Sequence, residues 1–170
     1  ELADVCAERG CGLVLMHMQG SPRTMQEDPR YDDVVDDVRA FLSARVEAAL
    51  AAGVSGERIW VDPGIGFGKT LEHNLELLRR LPELRALGHP IVIGTSRKTF
   101  IGTLTGREPA ERSGGTIASN VLALAGGADV FRVHDVRPVR EALQVADAIL
   151  GNTGWGTDER FAAATSGADA

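Results

Sequence analysis

Apolar residues along this chain alternate between two rhythms. Apolar runs occupy positions 13–16, 59–61, 91–93 and, broken only by Arg132, 130–133, the pattern expected of parallel strands covered on both faces. Between them the apolar positions recur at helical spacing. Val34, Val38, Phe41, Leu42, Val46, Ala49 and Leu50 form one stripe, with Asp32, Asp33, Asp36 and Asp37 near its start, where a helix dipole favours negative charge. Leu71, Leu75, Leu78 and Leu81 form a second before Pro82, Ile117, Val121, Leu122 and Leu124 a third, and Val139, Leu143, Ala146 and Ile149 a fourth. Leu2, Val5 and Cys6 place one further helix before the first strand. Helix-length crossovers between consecutive strands predict an α/β fold with a parallel sheet and right-handed connections. Residues 1–150 read as this unit, and residues 151–170, rich in Gly, Ala, Thr and Asp without a period, read as a flexible tail.

Composition narrows the possibilities. A chain of 170 residues that is 44% hydrophobic and 25% charged is ordinary globular material. A net charge of −6 argues against non-specific nucleic-acid or membrane-surface binding, so any anion must be met by locally placed Arg and Lys. Cys6 and Cys11 lack the spacing of a zinc site or a disulfide framework, and no metal-ligating cluster is evident. No apolar run is long enough for a membrane span and no signal peptide opens the sequence, so a cytoplasmic location is expected.

Three of the strand-like runs end in polar clusters: Asp62-Pro63-Gly64-Ile65-Gly66-Phe67-Gly68-Lys69-Thr70, Gly94-Thr95-Ser96-Arg97-Lys98 and Arg132-Val133-His134-Asp135. Ligands of parallel β/α proteins bind outside the carboxyl ends of the strands, which makes these clusters the candidate site. The glycine-rich stretch is neither familiar nucleotide motif. A P-loop needs Gly where Pro63 stands, and the glycines follow GxGxG rather than GxGxxG. What it offers is exposed backbone after Asp62, whose carboxylate suits an amino group beside a ring nitrogen, as on a guanine-like edge; capping of the turn at Pro63 is the alternative. Ser96 suits a carboxylate and Lys98 an oxygen or ring nitrogen, unless Lys98 is a solvated surface group. Arg132 and His134 flank Val133, and a strand pleat sends both to one side, where they suit a phosphate or pyrophosphate; an interior ion pair with Asp135 or another carboxylate competes with that reading. Met16 and Met18 offer an apolar slot or core filling, and His17 reads as structural. Asp28, the 32–37 acidic cluster, His73, His89, Arg79 and Arg80 read as solvated faces.

Taken in order and spacing, Leu15-Met16-His17-Met18-Gln19-Gly20, the Asp62 to Lys69 stretch, Gly94 to Gly102 and Arg132 to Val136 resemble dihydropteroate synthase across residues 1 to about 150. The resemblance implies a TIM-barrel type (β/α) fold, of which this chain would hold only the last four β/α units, a half barrel preceded by one helix. It implies condensation of 6-hydroxymethyl-7,8-dihydropterin diphosphate with p-aminobenzoate, releasing pyrophosphate, in folate biosynthesis. It places Met16, Asp62, Gly94, Lys98 and Arg132 on the pterin, Phe67 and Ser96 on p-aminobenzoate, and Arg132 and His134 on the diphosphate, with Lys98, Arg132 and His134 as the catalytic set. It further implies Mg2+, with its protein ligand in the half of the family's barrel that this chain does not match, and a homodimer. The isolated chain is expected to be inactive or nearly so. Rival readings are a corrinoid-linked methyltetrahydrofolate methyltransferase, disfavoured by Ser96-Arg97-Lys98 with Arg132 and His134, and a non-catalytic half barrel that self-associates to hide its edges.

Overall fold

The computed structural model describes residues 2–151; the flexible tail expected over 151–170 lies, but for Gly151, outside the described residues. The elements follow the order α1 (Leu2–Arg9), β1 (Leu13–Met16), α2 (Val34–Ala51), β2 (Ile59–Asp62), α3 (Leu71–Arg79), β3 (Val92–Ile93), α4 (Thr99–Thr105), α5 (Ser113–Ala125), β4 (Val130–Phe131) and α6 (Val136–Leu150). β1 pairs with β2 in parallel and β3 with β4 likewise, and a parallel bridge between Val61 and Ile91 joins the two pairs. The strands therefore run in sequence order, and all their carboxyl ends open on one edge. This α/β architecture with parallel strands is the class the apolar rhythm predicts.

Burial is strongly one-sided. Val35, Val38 and Leu42 of α2 are fully enclosed against Ile59 and Val61 of β2, together with Leu77, Leu81 and Leu84. A smaller cluster joins Leu124 of α5 to Val139, Leu143 and Ala146 of α6. The opposite sheet face is more open: Val14 is 47% exposed, and its register partner Trp60 is half-buried. The expectation of strands covered on both faces fails at this point.

Helix ends follow local chemistry. Asp33 caps α2 by accepting from the N–H groups of Val35 and Asp36, so part of the acidic cluster expected to be a solvated face is a helix start. His73, read as surface, closes a reciprocal cap on α3 with Thr70. Some stripe residues point outward: Leu50, Leu122 and Ile149 are exposed. The second stripe breaks, because α3 stops at Arg79 and Leu81 opens a separate 3-10 helix, Leu81–Leu87, that takes Pro82 in its first turn. β4 ends at Phe131 rather than at residue 133. Arg132 still donates its N–H to the Ile93 carbonyl at 2.9 Å, after which the N–H of His134 turns to the Ser96 hydroxyl.

Candidate active site

Met16 and Asp62 are register partners at the ends of β1 and β2, so both point to the sheet face away from the helices. Met16 is half-buried and Asp62 is only 3% exposed. One oxygen of Asp62 accepts the N–H of Gly64 at 2.7 Å, so the carboxylate does cap its turn as well as end its strand. Burial holds the Asp62 carboxyl above the usual carboxylate range, opposed by the Gly64 N–H and by Arg132, Lys98 and Lys69. Those names bring residues of three strand-end loops around a single buried acid.

The glycine loop is not the exposed backbone that its composition suggests. The β1 loop lies directly against it: a Cβ on Gly64, whose φ is +71°, would stand 1.8 Å from the His17 carbonyl oxygen, and one on Gly68 would stand 2.5 Å from that of Gln19. Only glycine permits both the left-handed backbone and the approach. Neighbours then occupy the loop's polar groups. Gln26 donates to the Gly66 carbonyl at 2.8 Å, the Tyr31 hydroxyl donates to that of Gly68 at 2.6 Å, and the Gly66 N–H donates to Asn74 at 2.6 Å. Lys69, 3% exposed, reaches back to donate to the Phe67 carbonyl at 3.0 Å and pairs with Nδ1 of buried His17 at 2.9 Å. Burial pushes the Lys69 ammonium down to about 7 and, with the nearby Lys69 charge, His17 down to about 4. His17 is thus the hydrogen-bonded structural histidine that was expected. Lys69 is the residue sequence reasoning passed over, although it closes the very motif that was tested for phosphate binding.

The loop after β3 carries backbone strain. Among the described residues Arg97 is the non-glycine residue with positive φ, at +59°, immediately before Lys98. Its N–H donates to Thr116 at 3.1 Å, its carbonyl accepts from Arg112 at 2.9 Å, and its guanidinium holds both oxygens of Asp135 at 2.9–3.0 Å. The ion pair with Asp135 that competes with the phosphate reading of Arg132 and His134 is made by Arg97 instead. Beneath this loop, buried Thr95 accepts from Ser119 and Asn120 of α5. Lys98 is half-buried, lies 3.9 Å above the centre of the Phe67 ring, and is held below the usual lysine range by burial first and then by Arg132. It is not a solvated surface ammonium.

Arg132 rises beside Gly94, where a Cβ would stand 3.3 Å from its guanidinium, so the glycine leaves room for the cation. Arg132 and His134 are both solvent-exposed at this edge, while Ser96 is buried with its hydroxyl 2.9 Å from Nδ1 of His134. The structure thus assembles Met16, Asp62, Phe67, Gly94, Ser96, Lys98, Arg132 and His134 at one edge. Among the described residues no three His, Cys, Asp or Glu side chains converge as a metal site. The described residues do not fit the implied Mg2+. Nor is any described helix long and apolar enough to cross a membrane.

Comparison with known proteins agrees with this arrangement. Residues 1–134 match the family model described as pterin binding enzyme. The dihydropteroate synthase of Synechocystis is 47% identical over 150 residues, covering 88% of this chain and 52% of the relative. The dihydropteroate synthase of Yersinia pestis, solved with a sulfonamide drug, superposes with a TM-score of 0.86 at 40% identity, covering 88% of this chain and 54% of that one. The Thermus thermophilus enzyme, solved in complex with 4-aminobenzoate, superposes with a TM-score of 0.84 at 49% identity, covering 88% of this chain and 61% of the other. The same enzyme was also solved with 6HMPPP. The chain spans about half the length of the curated relatives it matches.

Proposed function

The chain belongs to the pterin binding enzyme family, and we propose that its strand-end residues form one wall of a dihydropteroate synthase site on the last four units of a (β/α) barrel. The observation that carries this reading is the buried acid Asp62, ringed by Lys98, Arg132 and Lys69. A flat heterocycle with an amino group beside a ring nitrogen donates to Asp62, while Lys98 binds its carbonyl and ring nitrogen and Met16 and Gly94 line its faces. The surplus of cations over the one carboxylate suits the diphosphate that must leave.

In the reaction the methylene carbon–oxygen bond of the pterin diphosphate breaks, a carbon–nitrogen bond to p-aminobenzoate forms, and the amine gives up a proton. Charge gathers on the leaving oxygens, and Arg132 and His134 stabilise it there. Asp62 and Lys98 fix the ring so that the amine approaches in line, with p-aminobenzoate held against Phe67 and near Ser96. Any Mg2+ in the complete site would draw its protein ligand from outside the described residues.

The test is the condensation itself, with labelled p-aminobenzoate and 6-hydroxymethyl-7,8-dihydropterin diphosphate. The 170-residue chain alone turns over little or nothing, because the relatives use about twice this length, and robust product formation by it would sink the one-wall reading. A second reading, self-association as a homodimer, draws on apolar residues left exposed: Val14 on the open sheet face and Leu122, Val145 and Ile149 on α5 and α6. Light scattering that returns a monomer across micromolar concentrations counts against it.

A further inference from the structure

The Lys69 side chain turns away from solvent and bonds across two strand-end loops. Its Nζ lies 2.9 Å from Nδ1 of His17 in the β1 loop and donates to the Phe67 carbonyl in the β2 loop at 3.0 Å. His17 in turn donates its backbone N–H to the Asp62 carbonyl at 3.0 Å, and Phe67 donates its own to the Gly64 carbonyl at 3.0 Å. Gly64 closes the circuit by donating to an Asp62 carboxylate oxygen at 2.7 Å, and a Cβ on Gly64 would stand 3.5 Å from Nζ of Lys69. A fixed amine therefore sits beside the turn that caps the buried acid, 5.9 Å from the centre of the Tyr31 ring. Three basic side chains act on Asp62, and they are not equivalent. Arg132 is exposed and Lys98 half-buried, and the proposed reaction places both on the substrate. The negative charge of a diphosphate then offsets them while Asp62 must stay ionised to accept the pterin N–H groups.

We infer that Lys69 is a positioning residue for pterin recognition: it pins the β1 loop to the β2 loop beside Asp62, and it is the countercharge that stays with this carboxylate when Lys98 and Arg132 engage the substrate. Lys69 is 3% exposed, so neither ligand nor dissolved salt offsets its charge. The support is mutual. Burial pushes the Lys69 ammonium down to about 7, Asp62 opposes that loss, and Lys98 adds to it. Burial likewise holds Asp62 up, opposed by the Gly64 N–H, Arg132, Lys98 and Lys69. The other titratable groups against Lys69 stay neutral near pH 7, His17 being pushed down to about 4 and Tyr31 up to about 12. The inference rests on the proposed pterin role of Asp62.

The experiment uses the full 170-residue chain with 13C at the aspartate carboxyl and lysine ε carbons, and 6-hydroxymethylpterin as the ligand. The sequence holds two lysines, Lys69 and Lys98, so K98R assigns both, and D62N assigns Asp62. D62N removes the partner charge, and the Lys69 titration moves down from about 7. K69M moves the Asp62 titration up by a similar amount, because coupling between two sites is reciprocal. K69M binds 6-hydroxymethylpterin more weakly on the acid side of the Asp62 midpoint, approaching tenfold for each pH unit by which that midpoint moves, and the deficit closes above it. A residue that only held the loops together would weaken binding equally at every pH. A Lys69 titration unmoved in D62N overturns the inference, and so does a K69M deficit that is the same at every pH. Should K69M not fold, the D62N titration, made on a chain that keeps Lys69, decides alone. If the parent chain binds no pterin, the proposed function loses the role of Asp62, while the two titrations still decide whether Lys69 is its countercharge.

Discussion

Replacing Lys69 with Met tests the most unusual charge in the molecule. Lys69 is 3% exposed, and burial pushes its ammonium from 10.5 to about 7, with Asp62 partly offsetting the cost. The sign follows from proton counting. Between pH 7 and 10 the unfolded chain keeps a proton on this lysine that the folded chain has largely lost, so stability rises with pH across that window. The slope rises from half its full value at pH 7 towards ~1.4 kcal/mol per pH unit, which amounts to about 2 kcal/mol between pH 7 and 9. Lys98 is shifted in the same direction and adds a smaller slope, being only half-buried. His17, pushed down to about 4, acts at more acid pH, and Tyr31, pushed up to about 12, acts with the opposite sign above pH 10. K69M removes the titrating group, so most of the rise disappears. It also strips the Phe67 carbonyl and Nδ1 of His17 of a donor, at a cost of about 1–3 kcal/mol for each buried group left unpaired. Urea denaturation followed by circular dichroism at pH 7, 8 and 9 gives the comparison directly. A parent chain equally stable at all three values, or a K69M variant with the parent's slope, refutes the account of Lys69 as a buried, desolvated ammonium.

Gly64→Ala must push a Cβ off the His17 carbonyl oxygen, 1.8 Å away, at a φ of +71°; it should cost more than ~3 kcal/mol, and a parent-like melting curve would falsify the close approach. Asp62→Asn keeps an acceptor for the Gly64 N–H but presents the wrong edge to the pterin. Calorimetric affinity for the pterin diphosphate should fall on the order of 30-fold or more, whereas the melting temperature should hold or rise, since burial already opposes the charge on Asp62. At Arg97, whose φ is +59°, R97G should be more stable than R97A by about 1 kcal/mol, because both lose the Asp135 pair and only glycine relaxes in the left-handed region. Equal denaturation midpoints for the two would remove strain from the description of this loop.

The parallel α/β fold was legible because its cause is short-range: apolar runs alternating with helical stripes leave few other ways to bury the same residues. Asp62, Lys98, Arg132 and His134 were legible because each lies within a residue or a few of a run's end, where a parallel sheet collects its loops. What stayed hidden depends on contacts far apart in sequence. No local pattern reports that Asp135 pairs with Arg97 rather than Arg132, or that the Ser96 hydroxyl faces His134. Lys69 looked like a leftover of a failed P-loop match, since its burial arises only when the β1 loop folds over it. The stripes misjudged Leu122 and Ile149 for a similar reason: spacing identifies a helix face without showing whether anything covers it.

The charge distribution joins the fold to the proposed chemistry. The chain carries a net charge of −6, yet the strand-end site gathers Lys69, Lys98 and Arg132 around one acid. The acidic surplus is used elsewhere. Asp33 caps α2, Asp36 and Asp37 sit in its first turn, and Glu76 and Glu83 pair with Arg80 on the outer helices. An anion approaching the sheet edge therefore meets cations held in place by a strained loop and a glycine-lined crossing, and not a general positive surface. Binding driven by such a site should fall only moderately with salt, because Lys69 and Lys98 are shielded from the ionic atmosphere by burial. The selectivity lies in Asp62: in a pocket this rich in cations a lone carboxylate rewards a ligand whose other end brings N–H donors, which is the division of charge in a pterin diphosphate.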